Sequence, residues 1–180
     1  MRKIQWLVVA LVCVTLMSMC GCNRDTKLLK AAEEGDIQTV RAMIAKGADI
    51  NAVDTDGYTS LHWSIVMRHK EIAEFLVAEG AMVTVADGLG MTPLHLSVQQ
   101  GFKDIAELLI AKGAKVNATV FGEAPLHFAA LAGHRDIVEL LLAKGANLNE
   151  KNKQGNTPLQ VAEERGYTDV ADLLRKNGAK

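Results

Sequence analysis

At 180 residues and 49% hydrophobic side chains the chain can bury one domain-sized core, but with only 4% aromatics that core must be built from Leu, Ile, Val and Ala. A formal charge of −1 excludes the general basic field that nucleic-acid binding requires, so no nucleic-acid partner is expected. All three cysteines, Cys13, Cys20 and Cys22, stand near the N-terminus, so the rest of the chain holds no internal disulfide and depends on packing.

Arg2 and Lys3 open the chain with positive charge, and Ile4 to Met19 is almost unbroken apolar sequence. That pattern predicts a secretory signal peptide over 1–21, too short for an ordinary transmembrane span. Its end, Met19-Cys20-Gly21-Cys22-Asn23, resembles a bacterial lipoprotein signal, in which a small residue precedes the cysteine to be acylated. The resemblance implies lipid attachment at Cys22, with Met19 and Cys20 departing from the usual pattern, and residues 22–25 forming an acylated N-terminus and short linker. Asn23 after that cysteine implies an exported, membrane-anchored lipoprotein on the periplasm-facing side of an outer membrane. Two other readings of the same residues stand: an uncleaved anchor helix, or secretion with Cys22 as a free thiol.

From Thr26 onward the chain repeats itself. Gly47-Ala48, Gly80-Ala81, Gly113-Ala114, Gly145-Ala146 and Gly178-Ala179 recur at steps of 33, 33, 32 and 33 residues. Between them, TSLH, TPLH, APLH and TPLQ bring Leu61, Leu94, Leu126 and Leu159 into register. A regular period of this length marks a stacked array whose units bury their apolar faces only against one another. The units span about 26–58, 59–91, 92–123, 124–156 and 157–180. Lys27 and Lys30 give the first unit the solvated face of an N-terminal cap, and Glu163, Glu164, Arg165, Asp172, Arg175 and Lys176 make the last a C-terminal cap. In the inner units IAEFLVAEG, IAELLIAKG and IVELLLAKG carry apolar residues at helical spacing, and Pro93, Pro125 and Pro158 fit a first helical turn.

The T-P-L-H motif, the small pair that follows it, the corner glycine and the closing G-A-x-[IVL]-N resemble ankyrin repeats over nearly the whole chain after residue 25. The resemblance implies an all-α fold: an ankyrin-repeat solenoid of helix-turn-helix units joined by β-hairpin loops. It also implies that His62, His95 and His127 are structural, bonding backbone groups and the motif threonine to tie adjacent units together. About 10 Å between successive layers separates these histidines too widely to share a metal whose nitrogen ligands stand about 2 Å away, so no metal site is expected. No nucleophile motif or paired carboxylates appear, and Gly88-Leu89-Gly90 lacks the Gly-Lys-Ser/Thr of a phosphate loop. The expectation is therefore no enzyme activity and no cofactor.

Function then falls to the concave surface of hairpin tips and first helices. By the resemblance, the protein-binding positions are Tyr58, Val66, Met67, Leu89, Met91, Gln99, Phe121, Glu123 and Leu131, several of them apolar where a generic repeat is polar. Phe121 stands beside the single-residue deletion, which falls between Asn117 and Gly122, and Arg68 occupies a helix corner held elsewhere by glycine. The sequence thus predicts a monomer that binds another protein through this face and is tethered to a membrane by its N-terminal lipid. The alternative is a secreted effector or enzyme inhibitor that acts without a tether.

Overall fold

The computed structural model describes residues 23–180. Ten helices follow one another among the described residues: α1 (described over 23–34), α2 (Ile37–Ala45), α3 (Ser60–Val66), α4 (Lys70–Ala78), α5 (Pro93–Gln99), α6 (Lys103–Ala111), α7 (Pro125–Ala132), α8 (Arg135–Ala143), α9 (Pro158–Arg165) and α10 (Thr168–Lys176). They pair as five antiparallel hairpins, and like packs on like along the stack: α3, α5, α7 and α9 form one row, and α2, α4, α6, α8 and α10 the other. This is the all-α solenoid expected from the repeat. The predicted signal peptide and Cys22 lie outside the described residues.

The first helices are short because each starts at a fixed cap and stops at a tight corner. Thr59 and Thr157 accept the amides of His62 and Gln160 at 3.3 and 3.4 Å, satisfying donors that a helix N-terminus leaves orphaned. Proline at the first position of α5, α7 and α9 removes one such donor altogether. In the first repeat Asp36 caps α2, accepting Thr39 N at 3.0 Å. Leu61, Leu94, Leu126 and Leu159, in register in the sequence, are all buried, together with Ile72, Ile105, Ile137 and Val170 from the second row. Small Ala129, Ala130, Ser64 and Ser97 are fully covered where the layers meet.

The corner glycines are explained by the layer that follows. A Cβ on Gly35, Gly101 or Gly133 would fall 2.6, 3.0 or 2.6 Å from the ring of His69, His134 or Tyr167 respectively, and all three glycines have positive φ. At the remaining inner corner the ring is Phe102, and here Arg68 replaces glycine at φ 66°. Its guanidinium lies 4.5 Å from the Phe102 centroid and donates to Gln100 Oε1 at 2.7 Å. The cation–π contact and hydrogen bond offset the left-handed backbone, so Arg68 has a packing role.

Two features refine the sequence reading. The hairpin loops carry only isolated bridges, Val53 with Thr59 and Val120 with Glu123, and no extended strand forms among the described residues. Residues 23–25, expected as a linker, are helical and bonded into the first repeat: Arg24 donates to the Lys46 carbonyl, and Asp25 Oδ1 accepts Asp49 N at 2.8 Å. The same tie recurs along the stack, where Asn51, Asn117 and Asn149 accept the amides of Met82, Asn147 and Lys180 at 2.8, 2.9 and 3.0 Å. The closing asparagine of the motif is therefore a clip to the next unit, and Asp25 supplies it at the first one.

Leu126 is 1% exposed, and Leu126→Ala should lower the free energy of unfolding by roughly 2–5 kcal/mol in urea titrations. A loss under about 0.5 kcal/mol, typical of a surface site, would contradict this packing register.

Candidate functional site

The hairpins preceding α3, α5 and α9 share one construction. Asp54, Asp87 and Asn152 each stand at the loop start and accept two amides through Oδ1: Asp56 and Tyr58 at 2.9 Å each, Leu89 and Met91 at 2.9 and 2.8 Å, and Gln154 and Asn156 at 3.1 and 2.9 Å. The hairpin before α7 lacks this residue and is one residue shorter. Val120 and Glu123 exchange both backbone bonds, at 3.0 and 2.9 Å, across Phe121 and Gly122, which have φ 52° and 84°. Two positive φ values in a two-residue loop define a type I′ turn. An aromatic side chain in that conformation costs on the order of 1 kcal/mol. The turn projects Phe121 from the surface, 57% exposed, with Lys153 Nζ 5.4 Å from its ring centroid.

Between these tips runs a groove of two adjoining chambers. One, about 410 Å³, has Leu89 and Phe121 as its lips and Met91, Leu96, Val120 and Phe128 beneath, with Gln99 and Glu123 at the edge. The other, about 680 Å³, is lined by Thr55, Asp56, Tyr58, Trp63, Val66, Gly88 and Leu89. Tyr58 and Leu89 belong to both.

Of the positions predicted for binding, Met67, Leu89, Gln99 and Phe121 are exposed, and Tyr58, Val66, Glu123 and Leu131 are half-buried. Met91 is a correction: at 8% exposure it is core, because its amide is held by Asp87 and its side chain points under the hairpin tips. Val120, beside Phe121 in the same turn, is buried at 4%. Tyr58 is not a free anchor either, since its ring packs 5.0 Å from Trp63 and 5.7 Å from His62. Met67 and Leu131 line neither chamber.

The groove also uses residues that the sequence reading did not select. Trp63, Leu96 and Phe128 each follow the motif histidine, or its equivalent, by one residue. Their recurrence at one repeat position was visible, but large apolar residues there are indistinguishable from core until the side of the helix is known. Trp63 Nε1 donates to Asp54 Oδ2 at 2.7 Å, fixing the indole against the loop.

The three motif histidines are fully buried. Nδ1 accepts the amide of Thr59, Thr92 or Ala124, each at 3.2 Å, which places the proton of the neutral ring on Nε2. His95 Nε2 then donates to Ala118 O at 3.0 Å and His127 Nε2 to Asn156 O at 3.2 Å, each tying its helix to the hairpin loop that leads into the next unit. The His62 ring faces the backbone carbonyls of Val85 and Met91 in the same way, although its buried Nε2 closes no full hydrogen bond to either. No group of three or more metal-ligating side chains occurs among the described residues.

Burial holds the His62 and His95 imidazoles below the usual histidine range, with Asp87 and nearby backbone carbonyls opposing it. The unfolded chain therefore takes up protons below about pH 6.5 that the folded chain refuses. Stability is fully present above that pH and falls as pH drops below it, by up to about 1.4 kcal/mol per pH unit for each histidine. Gln160 already replaces the histidine in the last repeat, accepting Thr157 N at 2.8 Å. His62→Gln with His95→Gln should accordingly flatten the dependence of the urea midpoint between about pH 6.5 and 5, and an unchanged slope would contradict the assignment. A second prediction concerns the turn: Phe121→Gly should leave stability within about 1 kcal/mol of the parent or raise it. A fall above about 2 kcal/mol, on the scale of a core truncation, would show the ring to be core.

The family model described as "Ankyrin repeats (3 copies)" matches residues 5–87, 28–120, 84–152 and 119–180. Among curated proteins, Palmitoyltransferase AKR1 of Saccharomyces cerevisiae is 41% identical over 51 residues, 28% of this chain and 7% of that protein. L-asparaginase of Dirofilaria immitis is 34% identical over 61 residues, 34% of this chain and 10% of its own length. The chain thus spans a tenth or less of these relatives, and their enzymatic names do not carry to it.

Proposed function

This chain belongs to the ankyrin-repeat family, and on that premise we propose that it is an exported lipoprotein which binds another protein through the groove between its hairpin tips. The observation that carries the binding role is Phe121, an aromatic ring held at a strained type I′ position, exposed, and facing exposed Leu89 across an apolar channel. Packing alone does not account for such an arrangement. Exposed aromatic and aliphatic side chains converging on a preformed groove supply the anchor energy of a protein interface. Recognition is by a rigid scaffold, and no bond is made or broken.

Export and tethering rest on the sequence of residues 1–22, with Cys22 as the acylation site and the periplasm-facing leaflet of an outer membrane as the location. Because residue 23 is already helical, a lipid on Cys22 would hold the repeats directly at the bilayer surface.

Affinity capture from native cells tests the binding role by comparing the parent with the Leu89→Ser/Phe121→Gly pair. A protein retained by the parent and lost from the pair, at unchanged thermal midpoint, is expected; equal retention by both would place the interface elsewhere. In the same cells, palmitate labelling and membrane fractionation should be lost in Cys22→Ser. Labelling that persists in that variant, or a parent found unlabelled in the medium, would overturn the tether and favour a secreted effector.

A further inference from the structure

The chemistry of the groove also specifies the partner, given the concave-face reading above. We propose that the groove takes a protein segment in which a lysine or arginine stands beside a large apolar residue, the cation against Tyr58 and Trp63 and the apolar side chain between Leu89 and Phe121.

The chamber beneath the first two hairpin tips combines an aromatic wall with negative charge. The Tyr58 and Trp63 rings lie 5.0 Å apart at 34°, and Asp56 is exposed at the rim. Burial raises the Tyr58 phenol above its ordinary value, and the carboxylates of Asp87, Asp54 and Asp56 raise it further, so three anionic groups converge on one ring. Asp87 is 6% exposed, its Oδ1 accepts two amides, and its carboxylate lies beside the Tyr58 hydroxyl, whose ionisation it opposes. Aromatic faces flanked by carboxylates attract a cationic side chain and repel an anionic one.

No Lys or Arg lines either chamber. The nearby cations are committed elsewhere: Arg68 and Lys70 lie over Phe102, at 4.5 and 4.9 Å, and Lys153 covers Phe121 at 5.4 Å. Lys153 also sets the direction. It repels an incoming cation at the Phe121 end, where the surface between Leu89 and Phe121 is apolar, and leaves the Tyr58 end to the positive residue. Because the two chambers share Tyr58 and Leu89, neighbouring side chains of one segment can occupy both.

The test is selection from a library of random short peptides on the full chain in detergent, followed by binding of the synthetic selected peptide through Trp fluorescence. Peptides pairing Lys or Arg with a neighbouring large apolar residue are expected. Asp56→Asn should weaken the selected peptide about threefold to fivefold at low ionic strength, with the difference shrinking as salt is added. Phe121→Gly should weaken it about tenfold or more. Selected peptides that need Phe121 but no cation would overturn this proposal and leave the concave interface standing. Binding indifferent to both substitutions, or no selection at all, would overturn the interface too. Self-association of the chain through the groove, seen as a concentration-dependent dimer lost in Phe121→Gly, would make the occupant a second copy and likewise overturn the proposal.

Discussion

Everything in this molecule depends on burial between consecutive layers. A pair of helices of seven to nine residues has no interior of its own, and Leu126, Ile137 and Leu141 are covered only because another unit lies on either side. With few aromatics available, close approach of thin layers replaces bulk, and Ala129, Ala130, Ser64 and Ser97 are small for that reason. The polar ties follow the same geometry. His95 and His127 reach forward to the next hairpin, Asn51, Asn117 and Asn149 clip successive stops, and the corner rings fill the space that glycine leaves open. Stability is thus distributed along the chain, and the surface positions are released for recognition.

That release is visible in the hairpins. Three are built on an Asx residue that gathers two amides, a construction that places the tips alike from unit to unit. The fourth gives up the Asx residue and one position, and its type I′ turn puts an aromatic side chain where glycine or asparagine would sit with less strain. Strain retained at an exposed tip, beside an apolar channel, is characteristic of a site shaped for contact rather than for folding. Burial, and after it the neighbouring carboxylates, hold the Tyr58 phenol above its ordinary value at one end of the channel.

The period, the register of the leucines, the caps and the prolines were legible in the sequence because each arises from local backbone chemistry repeated along the array. Arg68 was not: its role appears only when Phe102 of the next unit is seen beneath it, a contact across layers that no window of sequence displays. Met91 was assigned to the surface by position, yet the Asx-held loop turns it inward. Trp63, Leu96 and Phe128 were passed over for the opposite reason, since an apolar residue following a buried histidine carries no mark of whether it faces a layer or a groove. The closing asparagine was recognised as part of a motif, while its function as a clip depends on a partner about thirty residues away.

The most direct test of the groove as the working surface is site-specific photocrosslinking in native cells, with p-benzoylphenylalanine in place of Leu89 and, separately, in place of Glu139 on the outer face of α8. The account predicts a discrete crosslinked protein from position 89 and none from position 139. Adducts from position 139 alone would contradict it and move recognition to the convex side.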